Sequence, residues 1–207
     1  MMPKDAARLW EELKHRDPEE KVAWIRSLAG QPNQESIEIL LDVLKQESWF
    51  LRDQAARALS TLGEGVIEPL IEYLSSGLWY TRSAAASALG RMGLPMAAAP
   101  LASLLRDANR TVRDAAWDAL VLLSKNEMGL HAVAVAIRDL PERAQRFALG
   151  GIVARDPDAA AHVEALLSDP SLQGAEGEVR MKRAVNDEGG LSWDDVVGGG
   201  DAQQESR

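Results

Sequence analysis

Leucine-type side chains return about every 31 residues along most of this chain, and few folds can use so long and regular a period. Leu13, Leu44, Leu74, Leu105, Ile137 and Leu167 stand 31, 30, 31, 32 and 30 residues apart. A second ladder runs four residues ahead of the first: Leu9, Leu40, Leu70, Leu101, Val133 and Val163. A fixed period in this range marks a repeat array, in which each unit buries its apolar face on its neighbours.

Between these ladders lies a second, more uniform block. Residues 52–63 read RDQAARALSTLG, residues 82–93 RSAAASALGRMG, and residues 113–124 RDAAWDALVLLS. Arg52, Arg82 and Arg113 align. So do Ala55/Ala85/Ala116, Ala58/Ala88/Ala119, Leu59/Leu89/Leu120 and Leu62/Met92/Leu123. The spacing from the first alanine is i, i+3, i+4, i+7, one face of an α-helix. Gly63 and Gly93 then fall where a helix end favours positive φ. The leucine ladders form a separate helix in each unit, with Pro69 and Pro100 near two of the starts, where a missing N–H does little harm. Deeper in, either proline would kink its helix. Each unit is therefore predicted to be a helical hairpin.

The pattern resembles the HEAT repeat, in the bacterial variety called phycobilisome-lyase-like. The likeness rests on the proline of the first helix, the apolar–Arg pair opening the second (Leu51-Arg52, Val112-Arg113) and the alanine–leucine run that follows. Trp49 and Trp79 match the family's turn tryptophan; Thr81 departs from the apolar position before its arginine. The turn aspartate is present only as Asp107, with Gln46 and Ser76 in the equivalent places. The resemblance implies an all-α, right-handed α-solenoid of about six HEAT-like hairpins over 1–187, best matched at 34–124. The outer units pair 4–15 with 19–29, 126–138 with 141–153, and 158–168 with a helix near 176–187. It also implies that Arg52, Arg82 and Arg113 lie between neighbouring repeats and satisfy carbonyls and acids there. Packing against the next turn is expected to account for Trp49 and Trp79, which leaves Phe50 and Tyr80 as the better candidates for an exposed edge.

In such arrays the second helices line the concave face, and that implication places a partner. With the alanine–leucine side buried, the outward positions are Asp53, Arg57 and Thr61; Ser83, Ser87 and Arg91; Asp114, Asp118 and Val121. Arginine comes first and acid follows, so a protein or peptide of mixed charge suits the groove better than a polyanion. The function expected is a non-enzymatic interaction scaffold. The alternative, from the resemblance alone, is a subunit of a bilin lyase or isomerase acting on a chromophorylated protein. Arg57 and Arg91 would then hold propionates, and Asp114 and Asp118 would meet pyrrole nitrogens.

Little else points to chemistry. The three histidines, His15, His131 and His162, occupy different repeat positions, and no His-Glu dipeptide occurs, unlike in the metal-dependent HEAT hydroxylases. GxSxG, Walker-type and strand-linked GxGxxG motifs are absent. With no cysteine, disulfides and thiolate chemistry are excluded. No catalytic residue, metal or cofactor is expected. A net charge of −9 argues against a nucleic-acid partner and against the base-excising relatives of this fold. No apolar run has the length of a membrane span or a signal core, so a cytoplasmic protein that binds no membrane is expected.

Residues 188–207, EGGLSWDDVVGGGDAQQESR, leave the repeat. A flexible glycine- and acid-rich tail is expected there, either capping the last hairpin or offering Leu191, Trp193 and Val196 as a linear motif. The last repeat or the Trp193 segment could also join two copies of the chain.

Overall fold

Both leucine ladders become the spine of the core. In the computed structural model, which describes residues 17–45 and 48–169, Leu40, Leu70, Leu101, Val133 and Val163 have no solvent exposure. Leu44, Leu74, Leu105 and Ile137 are also buried. Only the end of the first ladder, Leu167, stays partly open. Leu9 and Leu13 lie outside the described residues.

Ten α-helices follow one another among the described residues: α1 (Pro18–Leu28), α2 (Gln34–Val43), α3 (Trp49–Leu59), α4 (Ile67–Tyr73), α5 (Trp79–Met92), α6 (Ala98–Leu104), α7 (Arg110–Leu123), α8 (Glu127–Arg138), α9 (Glu142–Val153) and α10 (Pro157–Leu167). Short 3-10 turns, Glu64–Val66 and Pro95–Ala97, lead into α4 and α6. Pro69 and Pro100 consequently sit in the first turn of their helices, where the backbone N–H has no intrahelical partner to lose. Side-chain caps start six helices, including Asn33 on the Ser36 amide and Asn126 on the Gly129 amide. Gly93 ends α5 in the left-handed conformation, while Gly63 takes positive φ with ψ near −161°.

Helices α2–α9 make four complete hairpins: α2–α3, α4–α5, α6–α7 and α8–α9. Helix α1 is the second helix of an earlier unit and α10 the first of a later one; the expected helices at 4–15 and 176–187 lie outside the described residues. Each second helix packs on its hairpin partner and on the second helix of the next unit, giving a continuous row α1, α3, α5, α7, α9. First helices α6, α8 and α10 form a matching row behind it. The result is an α-solenoid in which neighbours hold neighbours.

The alanine register explains how closely the rows approach. Ala55, Ala85, Ala116 and Ala148 are fully buried, and Ala58, Ala88 and Ala119 nearly so. At the α5–α7 seam, a methyl group added to Gly90 would lie 2.5 Å from the Ala119 Cα. Only glycine permits that approach.

Candidate functional site

Counting from Arg52, Arg82 and Arg113, the arginines near the start of α3, α5 and α7, the residues one and five places on project along the second-helix row. These are Asp53 and Arg57, Ser83 and Ser87, Asp114 and Asp118. All six are partly or fully exposed, as are Thr61 and Arg91. The structure gathers the charged members into two groups.

The first group spans three helices. Asp53 accepts from Arg57 Nε on its own helix at 2.8 Å and from Arg91 Nη2 on α5 at 3.3 Å. Beside it, Arg26 on α1 donates Nε to Gln54 Oε1 at 3.2 Å. Arg26, Ala29, Gln54, Arg57 and Ala58 line an open depression between α1 and α3. Two guanidiniums thus share one carboxylate, and a third lies beside them on an amide oxygen. Arg26 stands 31 residues before Arg57, in the same repeat position.

The second group is centred on Arg155, just past the end of α9. Its Nη2 donates to Asp114 at 2.9 Å and its Nε to Asp118 at 2.5 Å, while its guanidinium lies 5.0 Å from the Trp117 ring centroid. Burial alone would lower the Arg155 pKa, but the hydrogen bonds to Asp118 and Asp114 more than offset it and raise it. Trp117 donates Nε1 to the Ala148 carbonyl at 3.1 Å and tilts against Phe147 at 4.9 Å. Room for the indole comes from Gly151, whose missing Cβ would lie 2.0 Å from the ring.

Not every outward position behaves as the helical angle suggests. Val121 is buried, in the place that Gly90 holds one repeat earlier. Leu122, one residue on, is the exposed side chain there. Ser83 turns its hydroxyl back to the Tyr80 carbonyl at 3.0 Å, and Thr61 donates to the Ala58 carbonyl at 2.8 Å. Ser87 is half-buried. Leu191, Trp193 and Val196 lie outside the described residues.

The opposite edge, at the turns, carries the repeat arginines. Arg82 binds Asp107 of the next repeat with two hydrogen bonds, 2.7 and 2.9 Å, and donates Nη1 to the Ser76 carbonyl at 2.7 Å. That bond to Arg82, opposed by burial, holds the Asp107 carboxyl below the usual carboxylate range. Arg113 donates to the Asp107 and Ala108 carbonyls. Arg52 is buried, which pushes its guanidinium pKa down, and lies over the Tyr80 ring at 4.7 Å. In the fifth unit Gln145 takes the arginine's place, donating Nε2 to the Arg138 and Leu140 carbonyls.

At the aromatic edge Phe50 is exposed as expected, but Trp49, Trp79 and Tyr80 depart from the expectation. Trp49 is 72% exposed and Trp79 42%, whereas Tyr80 is half-buried beneath Arg52. Arg52, reaching forward to the next repeat, covers the Tyr80 ring and leaves Trp79 beside it outside. Phe50, 39% exposed, packs edge-on against Trp49.

Arg26, Arg155, Trp117 and Gln145 were not singled out by the sequence. Arg155 had a signal: it stands ten residues past Gln145, in the place held by Leu62, Met92 and Leu123 in earlier units. Among the described residues, no group of three metal-ligating side chains comes together, and no helix is long and apolar enough to cross a membrane.

A family model described as HEAT repeats matches residues 6–74 and 67–145. No curated protein matches the chain. Among solved structures, the complex of CpcE and CpcF of phycocyanin lyase from Nostoc sp. PCC7120 is 17% identical, with TM-score 0.40, covering 90% of this chain and 94% of that one. A designed armadillo repeat protein is also 17% identical, with TM-score 0.40 and coverage of 90% and 99%. An engineered protein solved by a structural genomics consortium is 19% identical, with TM-score 0.39 and coverage of 90% and 98%.

Proposed function

The chain belongs to the HEAT-repeat family, and on that premise we propose that it is a non-enzymatic scaffold holding a protein or peptide along its second-helix row, read as the concave face. One observation carries the reading: exposed charges on successive repeats are tied across the seams into one surface. Asp53 is shared by Arg57 and Arg91, and Arg155 is shared by Asp114 and Asp118. Ion pairs this exposed add little stability. Their value lies in presentation: they hold long side chains in place before a partner arrives, so less side-chain freedom is lost on binding.

The surface is polar in both senses along its length, with arginine excess near α1–α3 and carboxylates toward α7. A partner that reads it needs the opposite order, acid against the first end and base against the second. Such complementarity sets association rate and specificity more than affinity. Affinity would come from a few buried anchors, for which the exposed Phe147 ring, packed on the Trp117 indole, supplies an aromatic platform.

A bilin site asks Asp114 and Asp118 to meet pyrrole nitrogens, but both carboxylates already accept from Arg155. A pigment would first have to displace that guanidinium. The scaffold reading is tested by co-purification with the wild-type chain and with the Arg57→Glu/Arg91→Glu variant. A specific protein retained by the first and lost from the second, with both equally folded, is the result expected. Identical retention by both would remove the second-helix row as the binding face.

A further inference from the structure

We propose that the three-arginine patch on α1, α3 and α5 is occupied within the same chain by its acidic segment 187–205, so that the chain carries its own competitor for the groove. This rests on the second-helix row being the binding face.

The charge balance of the patch is the first argument. Arg26, Arg57 and Arg91 converge on Asp53 and Gln54, and Asp53 is the one carboxylate among them. Arg26 has an amide oxygen as its partner, so its charge is not neutralised there. Each guanidinium presents several N–H donors in a planar fork that matches carboxylates. The patch is therefore a cationic surplus on a chain whose total charge is −9. Its floor is small and apolar, formed by Ala29 and Ala58, so a backbone can lie close to it.

The second argument is what the same chain offers. Residues 187–205 contain Asp187, Glu188, Asp194, Asp195, Asp201 and Glu205, with no lysine or arginine between them. Two other stretches this long, 58–81 and 156–179, also lack lysine and arginine, but neither carries more than four acids in nineteen residues, against six here. Reach is sufficient. The described residues end at Asp169, and 25 residues separate it from Asp194. Fully extended, that length spans about 80–90 Å, at about 3.3–3.6 Å per residue. Stepping back from α9 to α3 crosses three helix spacings, roughly 25–30 Å at about 8–10 Å each. Tethering raises the local concentration of the segment at the patch, which compensates for weak individual contacts. An external partner must then displace the segment, and its carboxylates make the groove selective for ligands that are more acidic or better anchored.

The chain has no cysteine, so Ser192→Cys creates a single attachment point for a nitroxide beside Asp194. The measurement is the loss of backbone amide signals in the full-length, isotope-labelled chain. Signals from α1 and α3 around Arg26 and Arg57 are expected to broaden. They should recover at about 1 M NaCl, where the screening length falls to about 3 Å. The same recovery is expected in an Arg26→Gln/Arg57→Gln variant, whose amide spectrum reports independently on folding. Broadening confined to α9 and α10, or none anywhere, overturns the proposal. So does broadening that appears only when labelled and nitroxide-bearing chains are mixed, which would place the segment on a second copy. If the segment stays away from α1 and α3 while partner capture still depends on Arg57 and Arg91, this inference fails and the scaffold reading stands.

Discussion

At the seam between α5 and α7, Gly90 lets Ala119 come so near that no methyl group fits between them. One repeat later, between α7 and α9, the same positions are filled differently. Val121 stands where Gly90 did, Trp117 stands where Ala86 did, and the small residue has moved across the seam to Gly151. The first seam closes by bringing backbones together; the second closes around an indole that is hydrogen-bonded to the facing helix. The period determines which positions look across a seam. It does not determine how they are filled: two small residues meet at the first seam, and a large one meets a glycine at the second.

The contrast breaks most visibly at Trp117. Trp117→Ala would empty the second seam and release Arg155 from its ring, destabilising the chain by about 3–5 kcal/mol. Urea unfolding followed by far-ultraviolet circular dichroism measures this, and a loss under about 1 kcal/mol would mean that the seam does not depend on the indole. At the first seam, Gly90→Ala should cost about 1–3 kcal/mol through overpacking, even though alanine is the better helix former. A gain in melting temperature would show that the two backbones can separate freely.

Asp107→Asn addresses the turn edge, and about 1.5 kcal/mol is expected at neutral pH for the weakened charged hydrogen bonds. The sign with pH follows from the lowered Asp107 pKa. Its stabilisation is full above the ordinary aspartate value of 3.8 and is lost as pH falls through the lower folded value. The gap between wild type and variant should therefore narrow in acid. A gap that holds constant down to full protonation would argue against the Arg82–Asp107 pair as its source. The smallest effect has the opposite sign. Gly150 meets nothing among the described residues, so Gly150→Ala should raise stability by about 0.5–1 kcal/mol. A loss there would show that something covers that side of α9.

The sequence carried the hairpins well, because burial repeats with the period. Leu40, Leu70, Leu101, Val133 and Val163 could be placed in the core without coordinates, since a helix has one buried face and each unit repeats it. The exposed face was harder to read. Helical angle puts Val121 outside and the repeat leaves Tyr80 unconstrained at the edge, yet Val121 is buried and Arg52 claims Tyr80. Asp53, Arg57 and Arg91 were named as neighbours of a groove, yet that one carboxylate serves both arginines depends on side-chain reach across a seam. Arg155 and Gln145 were missed because each fills a repeat position with an atypical residue type. Those departures, read as departures, were the better guide to the site.

The Arg82–Asp107 clasp also bears on how the molecule yields under tension. Pulled end to end, an array joined neighbour to neighbour stretches as a spring with unequal coils. The boundary between the third and fourth units is stiff at its turns, where Asp107 binds Arg82 through its carboxylate and Arg113 through its carbonyl. At the preceding boundary Arg52 rests on the face of Tyr80 and Thr81 donates its hydroxyl to the Leu44 carbonyl at 3.2 Å. Extension would load the two boundaries differently, and any opening of the earlier one would draw the Trp49–Phe50 and Trp79–Tyr80 pairs apart. A load on the scaffold would thus be registered as a change in spacing along its aromatic edge.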